Sequence, residues 1–339
     1  MKSEKWIFMN LDTEAQRDRE DYFFLCASVS LCPKMRAKRT FEVKSEKMKM
    51  KKFLLSFALL VLGMADAAAL TYQKEDSIAV VRLLQKGQRQ PAGENLVLFY
   101  AQELMGKPYV GKTLEVNPKE ELAVNLRELD CTTLVENVLA LVLTTRHKSI
   151  RFSDFCRNLE RVRYCDGKLN GYASRNHYFS EWIASNSRQG FVSEVKGKTG
   201  DSRGEHYPFV EKQVLNCTYM SQHPDRYPML KGDAEALRLI KENERRVNGR
   251  TVRYIPRRLL GKSRKELGVV QDGDILAIVT KKAGLDVSHL GFVVWGTDGK
   301  LHLLNASQIH KRVVLEPMTL EEYMKKHPTQ LGVRVIRVK

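Results

Sequence analysis

Cys131 stands at a position where a thiol can act as a nucleophile. Apolar residues recur at helical spacing between Leu134 and Val142, and Asp130 precedes them as a candidate N-cap. Cys131 would then lie in the first turn of a helix, where the positive end of the helix dipole favours the thiolate. The unpaired N–H groups of that turn could also stabilise an oxyanion. The alternative is a buried structural cysteine, since free cysteine is among the most buried residue types.

A general base for this thiol is predicted at His289, near the start of the apolar strand 288–295. Asn305, in the next predicted strand, offers an amide oxygen that could accept a hydrogen bond from the imidazole and orient it. Taken singly, His289 could be a structural strand histidine and Asn305 a turn residue. Together they follow the chain order Cys, His, Asn of papain-like triads, which favours a cysteine hydrolase.

The elements that must position these residues are predicted as helices in the first half and strands in the last third. Asp298-Gly299 predicts a hairpin, and Thr319 with Glu322 predicts a capping box for a short helix. This order indicates an α+β fold with a mainly antiparallel sheet. The predicted helices are near 76–86, 94–105, 131–146, 153–162 and 232–246, and the predicted strands are 275–279, 290–295, 301–304, 313–315 and 333–338.

The amino-terminal region has the order of a secretory signal. Basic residues at 49–52 precede an apolar run, 53–64, and small residues follow up to Ala69. We therefore expect residues 48–69 to be a signal peptide and the protein to be exported, periplasmic or secreted. A signal works poorly behind a long extension, so we expect translation to start at Met48 or Met50 and residues 1–47 to be non-native. A genuine extended leader is the alternative.

The composition limits the classes of partner. The formal net charge is +17, which suits an anionic lipid or an acidic cell-wall polymer, and we expect no nucleic-acid partner because no known binding motif is present. No later segment is long and apolar enough to cross a membrane. Cys131, Cys156, Cys165 and Cys217 follow the signal without metal-ligand spacing, so no metal is expected. A disulfide such as Cys156 with Cys165 would be allowed in an oxidising compartment but is not assigned.

A series of motifs resembles the NlpC-type papain-like cell-wall cysteine hydrolases over residues 99–310. The motifs are GKPYVG at 106–111, LDCTT at 129–133, DGDI at 272–275, SHLGF at 288–292 and NAS at 305–307. NLRELDCTT at 125–133 and NGYASRNHYFSEW at 170–182 further resemble the N-acetylmuramoyl-L-alanine amidase-like branch.

The resemblance implies a papain-like domain over residues 70–339 that needs no cofactor and cleaves the N-acetylmuramoyl-L-alanine amide of peptidoglycan or muropeptides. It implies Cys131 as nucleophile, His289 as base and Asn305 as orienting residue. Two positions depart from the broader pattern. Asn305 stands where the superfamily often has His, and Glu128-Leu129 replace the usual Gly-Phe. A stem-peptide endopeptidase and a non-catalytic wall-binding module remain as alternatives.

Substrate contacts are predicted from aromatic and hydrogen-bonding side chains that could stack on a sugar or bind its polar groups. For Arg175 and His177, a structural capping role is equally compatible with the sequence, and Trp182 is predicted to lie in a helix core. The predicted substrate-binding residues are Tyr109, Tyr164, Arg175, His177 and Tyr178.

Residues 106–113 also satisfy the phosphate-loop pattern GxxxxGK[ST]. That motif functions only between a buried strand and a following helix. Here a helical segment precedes it and a poor helix start follows, so nucleotide binding is not predicted.

Overall fold

The computed structural model describes residues 70–195 and 208–339. The expected extension 1–47 and signal 48–69 lie outside these residues. The α-helices are α1 (Lys74–Gln88), α2 (Leu96–Glu103), α3 (Cys131–Arg146), α4 (Phe152–Arg163), α5 (Phe179–Arg188), α6 (Tyr219–Gln222), α7 (Ala234–Val247) and α8 (Leu320–Lys325).

Eight strands from the second half of the chain form one antiparallel sheet. The strands of the chain are β1 (Leu70–Thr71), β2 (Leu122–Ala123), β3 (Val192–Glu194), β4 (Glu211–Val214), β5 (Thr251–Pro256), β6 (Ile275–Thr280), β7 (Val287–Trp295), β8 (Leu301–Ser307), β9 (Arg312–Leu315) and β10 (Gln330–Val338). The order in the large sheet is β4-β5-β10-β6-β7-β8-β9, and β3 pairs with the carboxyl-terminal part of β10. A separate parallel pair joins β1 to β2.

The two faces of the sheet contact two different cores, because alternate side chains of a strand point to opposite sides. Leu290 and Phe292 of β7 pack with the first-half helices. Val293 of the same strand packs with Leu320 and Met324 of α8 on the other face. Helix α3 is buried on nearly its whole circumference, as expected of a helix that is apolar all round. The helix that begins at Cys131 therefore lies between the other helices and the sheet.

The predicted mixed fold and its main elements are confirmed. The five helices lie within two residues of their predicted ends, and the strands of the last third extend the predicted ones by up to three residues. The hairpin between β7 and β8 forms at Asp298-Gly299, and Thr319 and Glu322 form the capping box.

The segment 190–262 differs from expectation, since one helix was predicted there and the structure adds strands β3, β4 and β5. Strand β4 has alternating exposed and half-exposed residues and stands at the edge of the sheet. A half-exposed edge strand needs few apolar residues, so its sequence resembles a loop.

The phosphate-loop pattern at 106–113 does not stand between a strand and a helix. It follows helix α2, and the next helix begins only at Cys131. The Gly106 N–H donates to the Val313 carbonyl at 2.8 Å, and the Tyr109 N–H donates to the Lys311 carbonyl at 2.9 Å. The segment thus connects the β9 edge to the start of α3.

All four cysteines in the described part of the chain are free, so the allowed Cys156–Cys165 disulfide is not formed. Across residues 70–195 and 208–339, no helix is long and apolar enough to cross a bilayer.

Candidate active site

Cys131 is the first residue of α3, and a reciprocal cap holds that helix end. The Thr133 N–H donates to Asp130 Oδ1 at 2.8 Å, and the Asp130 N–H donates to Thr133 Oγ1 at 2.9 Å. Just upstream, the Arg127 N–H donates to Asn125 Oδ1 at 3.0 Å and closes a local turn. The backbone around Cys131 is therefore held in place, and its own N–H lies in the first turn, where the helix supplies no acceptor.

His289 is half-buried on β7 and is paired as the sequence predicts. Its Nε2–H donates to Asn305 Oδ1 at 2.9 Å, and Asn305 is fully buried. An amide oxygen only accepts hydrogen bonds, so Nε2 must carry the proton. In the neutral ring, Nδ1 then has the lone pair and can accept a proton.

The sulfur of Cys131 lies against β7, next to the residue that carries the imidazole. Cys131 Sγ accepts a hydrogen bond from the backbone N–H of Leu290, the residue that follows His289. On the other side, the Tyr323 ring stacks near His289 with 6.5 Å between ring centroids. Helix α3, strand β7 and helix α8 thus meet at this site.

The surroundings of Cys131 oppose the thiolate that the helix start favours. Burial raises the pKa of the Cys131 thiol to about 12, and the Asp130 carboxylate adds to this shift. Burial also lowers the pKa of His289. Both shifts favour a neutral thiol with a neutral imidazole, because a charge in this environment loses its hydration.

Two motifs of the sequence position the pair. A Cβ at Gly291 would lie 2.7 Å from the Leu304 carbonyl oxygen and 3.0 Å from Asn305 Cβ, so glycine is needed where β7 approaches β8. In the DGDI motif, Asp272 Oδ1 accepts from the Trp295 N–H at 2.7 Å and holds the end of β7.

A pocket of 220 Å³ opens beside Cys131 and contains two of the predicted substrate-binding residues, Arg175 and His177. Arg175 is 6% exposed, bonds to Glu115, and has its Nε 3.6 Å from Glu120 Oε1. The two carboxylates raise the pKa of Arg175 despite its burial. The pocket is lined by Lys112, Leu114, Glu115, Asp130, Thr132, Glu136, Tyr172, Arg175, Asn176, His177, Arg226, Tyr227 and Pro228.

His177 is neutral in this pocket. Burial, with the Arg175 cation beside it, lowers the pKa of His177 to about 3. Its Nε2 lies 2.9 Å from the Tyr172 carbonyl and must donate to it, which leaves Nδ1 as an acceptor. Among the residues that the structure describes, Glu115 Oε2 and Asn176 Oδ1 are buried and have no hydrogen-bond partner. The pocket lining therefore contains acceptor atoms for which the described part of the chain supplies no donor.

Tyr109 lies near the sulfur, whereas Tyr164 and Tyr178 do not face the pocket. After burial, the charges of Cys131 and Asp130 are the main causes that raise the pKa of Tyr109, which places its hydroxyl near them. Tyr164 is 0% exposed, and its hydroxyl donates to Glu120 Oε1 at 2.8 Å. Because Tyr164 is fully buried, the prediction that it contacts a ligand directly is corrected.

Tyr178 is likewise buried, in the core around α6 and α7, and its hydroxyl donates to Glu244 Oε1 at 2.8 Å. The prediction that Tyr178 contacts a ligand is also corrected, because its ring is packed in this core and its hydroxyl is bonded to Glu244. Trp182 is 0% exposed and confirms the prediction of a core residue.

Three acidic residues of the site were not predicted. Glu115 and Glu120 contact Arg175, and Glu316 accepts a hydrogen bond from the Asn305 amide. Glu115 and Glu120 lie far from Arg175 in sequence, whereas Glu316 follows the strand next to Asn305, and none of the three belongs to a motif. For the described residues, no group of three or more histidine, cysteine, aspartate or glutamate side chains is arranged to hold a metal ion.

Comparison with known proteins identifies the family of this chain. A family model described as N-acetylmuramoyl-L-alanine amidase-like (AmiA-like) matches residues 100–333. The chain belongs to the AmiA-like family. The match contains Cys131, His289 and Asn305, and it also includes the pocket beside them.

Solved structures agree with this family assignment. An N-acetylmuramoyl-L-alanine amidase from Bacteroides uniformis is 36% identical, with a TM-score of 0.64, and the alignment covers 75% of this chain and 99% of that one. A Bacteroides fragilis protein provisionally named a xylanase is 37% identical, with a TM-score of 0.64 and coverage of 71% and 100%.

A Legionella pneumophila protein is 21% identical with a TM-score of 0.59, covers 78% of this chain and 95% of its own, and shows the fold alone. No functionally curated protein matches the chain. The family and the similar structures thus indicate an amidase-like hydrolase that acts on the cell wall.

Proposed function

We propose that this chain is a papain-like cysteine amidase that hydrolyses the amide between N-acetylmuramic acid and L-alanine in peptidoglycan or muropeptides. The observation that carries the proposal is the 2.9 Å hydrogen bond from His289 to Asn305 beside Cys131 in a first helical turn. A nucleophile, a base and a residue that orients the base are the three groups that such catalysis requires.

The first half-reaction starts from the neutral pair. As Cys131 Sγ attacks the lactyl carbonyl carbon, His289 Nδ1 takes the thiol proton, so a free thiolate need not accumulate. The carbonyl oxygen becomes an oxyanion, which the N–H of Cys131 can stabilise. His289 then gives its proton to the nitrogen of L-alanine as the C–N bond breaks.

The second half-reaction releases the glycan. The acyl group is held as a thioester on Cys131, and His289 takes a proton from a water molecule that attacks the thioester carbonyl. The C–S bond breaks, the proton returns to the sulfur, and the muramic acid leaves as a carboxylic acid. Every proton is accounted for by the thiol, the imidazole and one water, and no cofactor is required.

The pocket that contains Arg175 and His177 is proposed to hold the part of the substrate next to the scissile bond. Glu115 Oε2, Asn176 Oδ1 and His177 Nδ1 are acceptors suited to sugar hydroxyls and amide N–H groups. Lys112 and Arg226 line the same pocket and could pair with a carboxylate of the stem peptide.

The name of the Bacteroides fragilis protein suggests a glycosidase instead. A retaining glycosidase uses two carboxyl groups about 5–5.5 Å apart, one as acid and one as nucleophile. Here Asp130 is the helix N-cap and Glu316 is bonded to Asn305 behind the histidine. Thiol and imidazole chemistry fits the site better than glycoside hydrolysis.

Product analysis tests the bond that is cleaved. The full chain is incubated with disaccharide muropeptides carrying one to four stem residues, and the products are identified by mass spectrometry. Free disaccharide with an intact peptide is expected. Shortened stems would assign an endopeptidase instead, and binding without any product would assign a wall-binding module.

Replacement of the nucleophile tests the mechanism. Cys131→Ala should lower kcat by at least about 10³-fold, because removing one member of a triad removes covalent catalysis. Cys165→Ala is the matched control, since Cys165 is also a free, half-buried thiol but lies outside the site. Full activity of Cys131→Ala would disprove the proposal.

A further inference from the structure

A chain of hydrogen bonds continues from His289 through the protein to a second histidine. Beyond the His289–Asn305 contact, Asn305 Nδ2–H donates to Glu316 Oε1 at 3.0 Å. The other carboxylate oxygen, Glu316 Oε2, accepts from His310 Nε2–H at 3.0 Å. Both oxygens of Glu316 are therefore engaged, and the side chain is 1% exposed.

We propose that Glu316 is a positioning residue of the amidase reaction, which holds the Asn305 amide so that its oxygen faces His289. This inference rests on the proposed function of the Cys131, His289 and Asn305 site. Glu316 touches neither the sulfur nor a substrate; it acts through Asn305.

The need for such a residue follows from the near symmetry of an amide. The oxygen and the NH₂ group of Asn305 have similar size, and rotation by half a turn would exchange them. Glu316 Oε1 accepts from the Asn305 NH₂ group, so this contact selects the orientation in which the NH₂ faces Glu316. The oxygen must then face His289.

The opposite orientation would disable the base. An NH₂ group directed at His289 Nε2 could only donate, so Nε2 would keep its lone pair and Nδ1 would carry the proton. The imidazole could then no longer take the Cys131 proton at Nδ1, since the neutral ring has one lone pair. The contact between Glu316 and Asn305 thus controls the tautomer of His289.

The strand pairing explains why these residues meet. Asn305 of β8 lies opposite Val314 of β9, so Glu316 just after β9 lies behind Asn305. His310 stands in the turn that connects the two strands, and its backbone N–H donates to Ser307 Oγ at 3.3 Å. The chain of hydrogen bonds behind His289, formed by Asn305, Glu316 and His310, therefore comes from the β8–β9 hairpin and the residue just after it.

Glu316 also has an electrostatic effect on His289. The charged and titratable groups near His289 are Cys131, Asp130, Glu316, Tyr323 and His327. Among them the Glu316 carboxylate raises the pKa of His289, against the lowering caused by burial. Removing only this charge should lower the pKa of His289.

Two variants of the full chain separate position from charge. Glu316→Gln keeps an oxygen that can accept from Asn305 and offers an NH₂ to His310, whereas Glu316→Leu removes both contacts. With a disaccharide tripeptide as substrate, Glu316→Leu should lower kcat about 10²-fold with KM within about threefold, as expected for a displaced catalytic group. Glu316→Gln should recover most of that loss.

Two further readouts distinguish positioning from a merely structural role. In ¹⁵N NMR, His289 should be the Nε2–H tautomer in the wild type and in Glu316→Gln, and should show the Nδ1–H tautomer in Glu316→Leu. In the pH profile of kcat/KM, the acid limb of Glu316→Gln should shift to lower pH. If Glu316→Leu does not fold, Glu316→Ala, which also removes the acceptor for the Asn305 NH₂, replaces it in the kcat and tautomer comparison.

The outcomes can be told apart from a failure of the proposed function. If Cys131→Ala is inactive while Glu316→Leu keeps its kcat and the Nε2–H tautomer, the positioning role is overturned alone. An unshifted acid limb in Glu316→Gln would overturn only the electrostatic effect of Glu316 on His289. If Cys131→Ala is fully active, the amidase mechanism itself is overturned.

Discussion

At the scale of the residue, the protonation of Cys131 and His289 determines how the site can react. A first helical turn favours a thiolate, but here the sulfur is also desolvated and lies next to the Asp130 carboxylate. The two unfavourable effects exceed the contribution of the backbone N–H groups. The resting site is a neutral pair, and the base acts at the moment of attack.

The pH dependence of thiol alkylation should show this neutral pair. The thiolate is the reactive form, and the pKa of Cys131 is raised to about 12, so thiolate forms only as the pH rises towards that value. We expect the iodoacetamide rate of the unliganded protein to increase continuously from about pH 7 to about pH 11. Cys131→Ala identifies the part of the signal due to this residue.

Asp130→Asn is the matched variant for this measurement. Asparagine can still cap the helix, but the negative charge that raises the pKa of Cys131 is removed. The alkylation rate at a given pH should therefore increase. A rate that is already constant from neutral pH upwards in the wild type would contradict the neutral pair.

At the scale of the element, close contact between β7 and β8 brings His289 to Asn305. Gly291 permits this contact because its absent side chain leaves room for Leu304 and Asn305. The same strand pair carries the base and the residue that orients it, so a small displacement of the strands changes both stability and catalysis.

Gly291→Ala should test the contact between the two strands. The added methyl group would overlap the Leu304 carbonyl oxygen, so we expect a loss of about 1–3 kcal/mol of unfolding free energy. Activity should fall as well, because Asn305 would move. Gly268→Ala is the control, since a Cβ there would lie 3.7 Å from its nearest neighbours, the carbonyl oxygens of Arg264 and Lys265. Equal urea denaturation midpoints for both variants would contradict this account.

At the scale of the whole molecule, the layered fold joins distant parts of the chain. Cys131 comes from the helical first half, whereas His289 and Asn305 come from the sheet of the last third. Packing α3 against β7 and β8 brings them together. Because the family and similar structures indicate cell-wall chemistry, the predicted export signal would place the enzyme where this substrate is found.

Export can be tested by expressing the chain from Met48 in a Gram-negative host. The apolar run 53–64 should direct secretion, and the exported product should begin near Ala68 or Leu70 by mass spectrometry. Leu60→Arg breaks that run and should retain the protein in the cytoplasm. An uncleaved wild-type product in the cytoplasm would contradict the signal.

The sequence was sufficient to predict the local features of this protein. Apolar spacing predicted α3 and its cap at Asp130, and the alternating runs of the last third predicted a mainly antiparallel sheet. The motifs predicted Cys131, His289 and Asn305 as one site, and the structure places His289 against Asn305. Spacing and motif order depend on short-range stereochemistry, which is readable from neighbouring residues.

Only the tertiary structure decided which polar side chains face the site. Tyr164 and Tyr178 were predicted as substrate contacts but are buried. Glu115 reaches Arg175 from a distant segment, and Glu316 reaches Asn305 through the pairing of β8 with β9. The pKa of Cys131 also departed from the expectation of a thiolate. Burial and long-range charge depend on how the layers pack, and no local pattern in the chain encodes that packing.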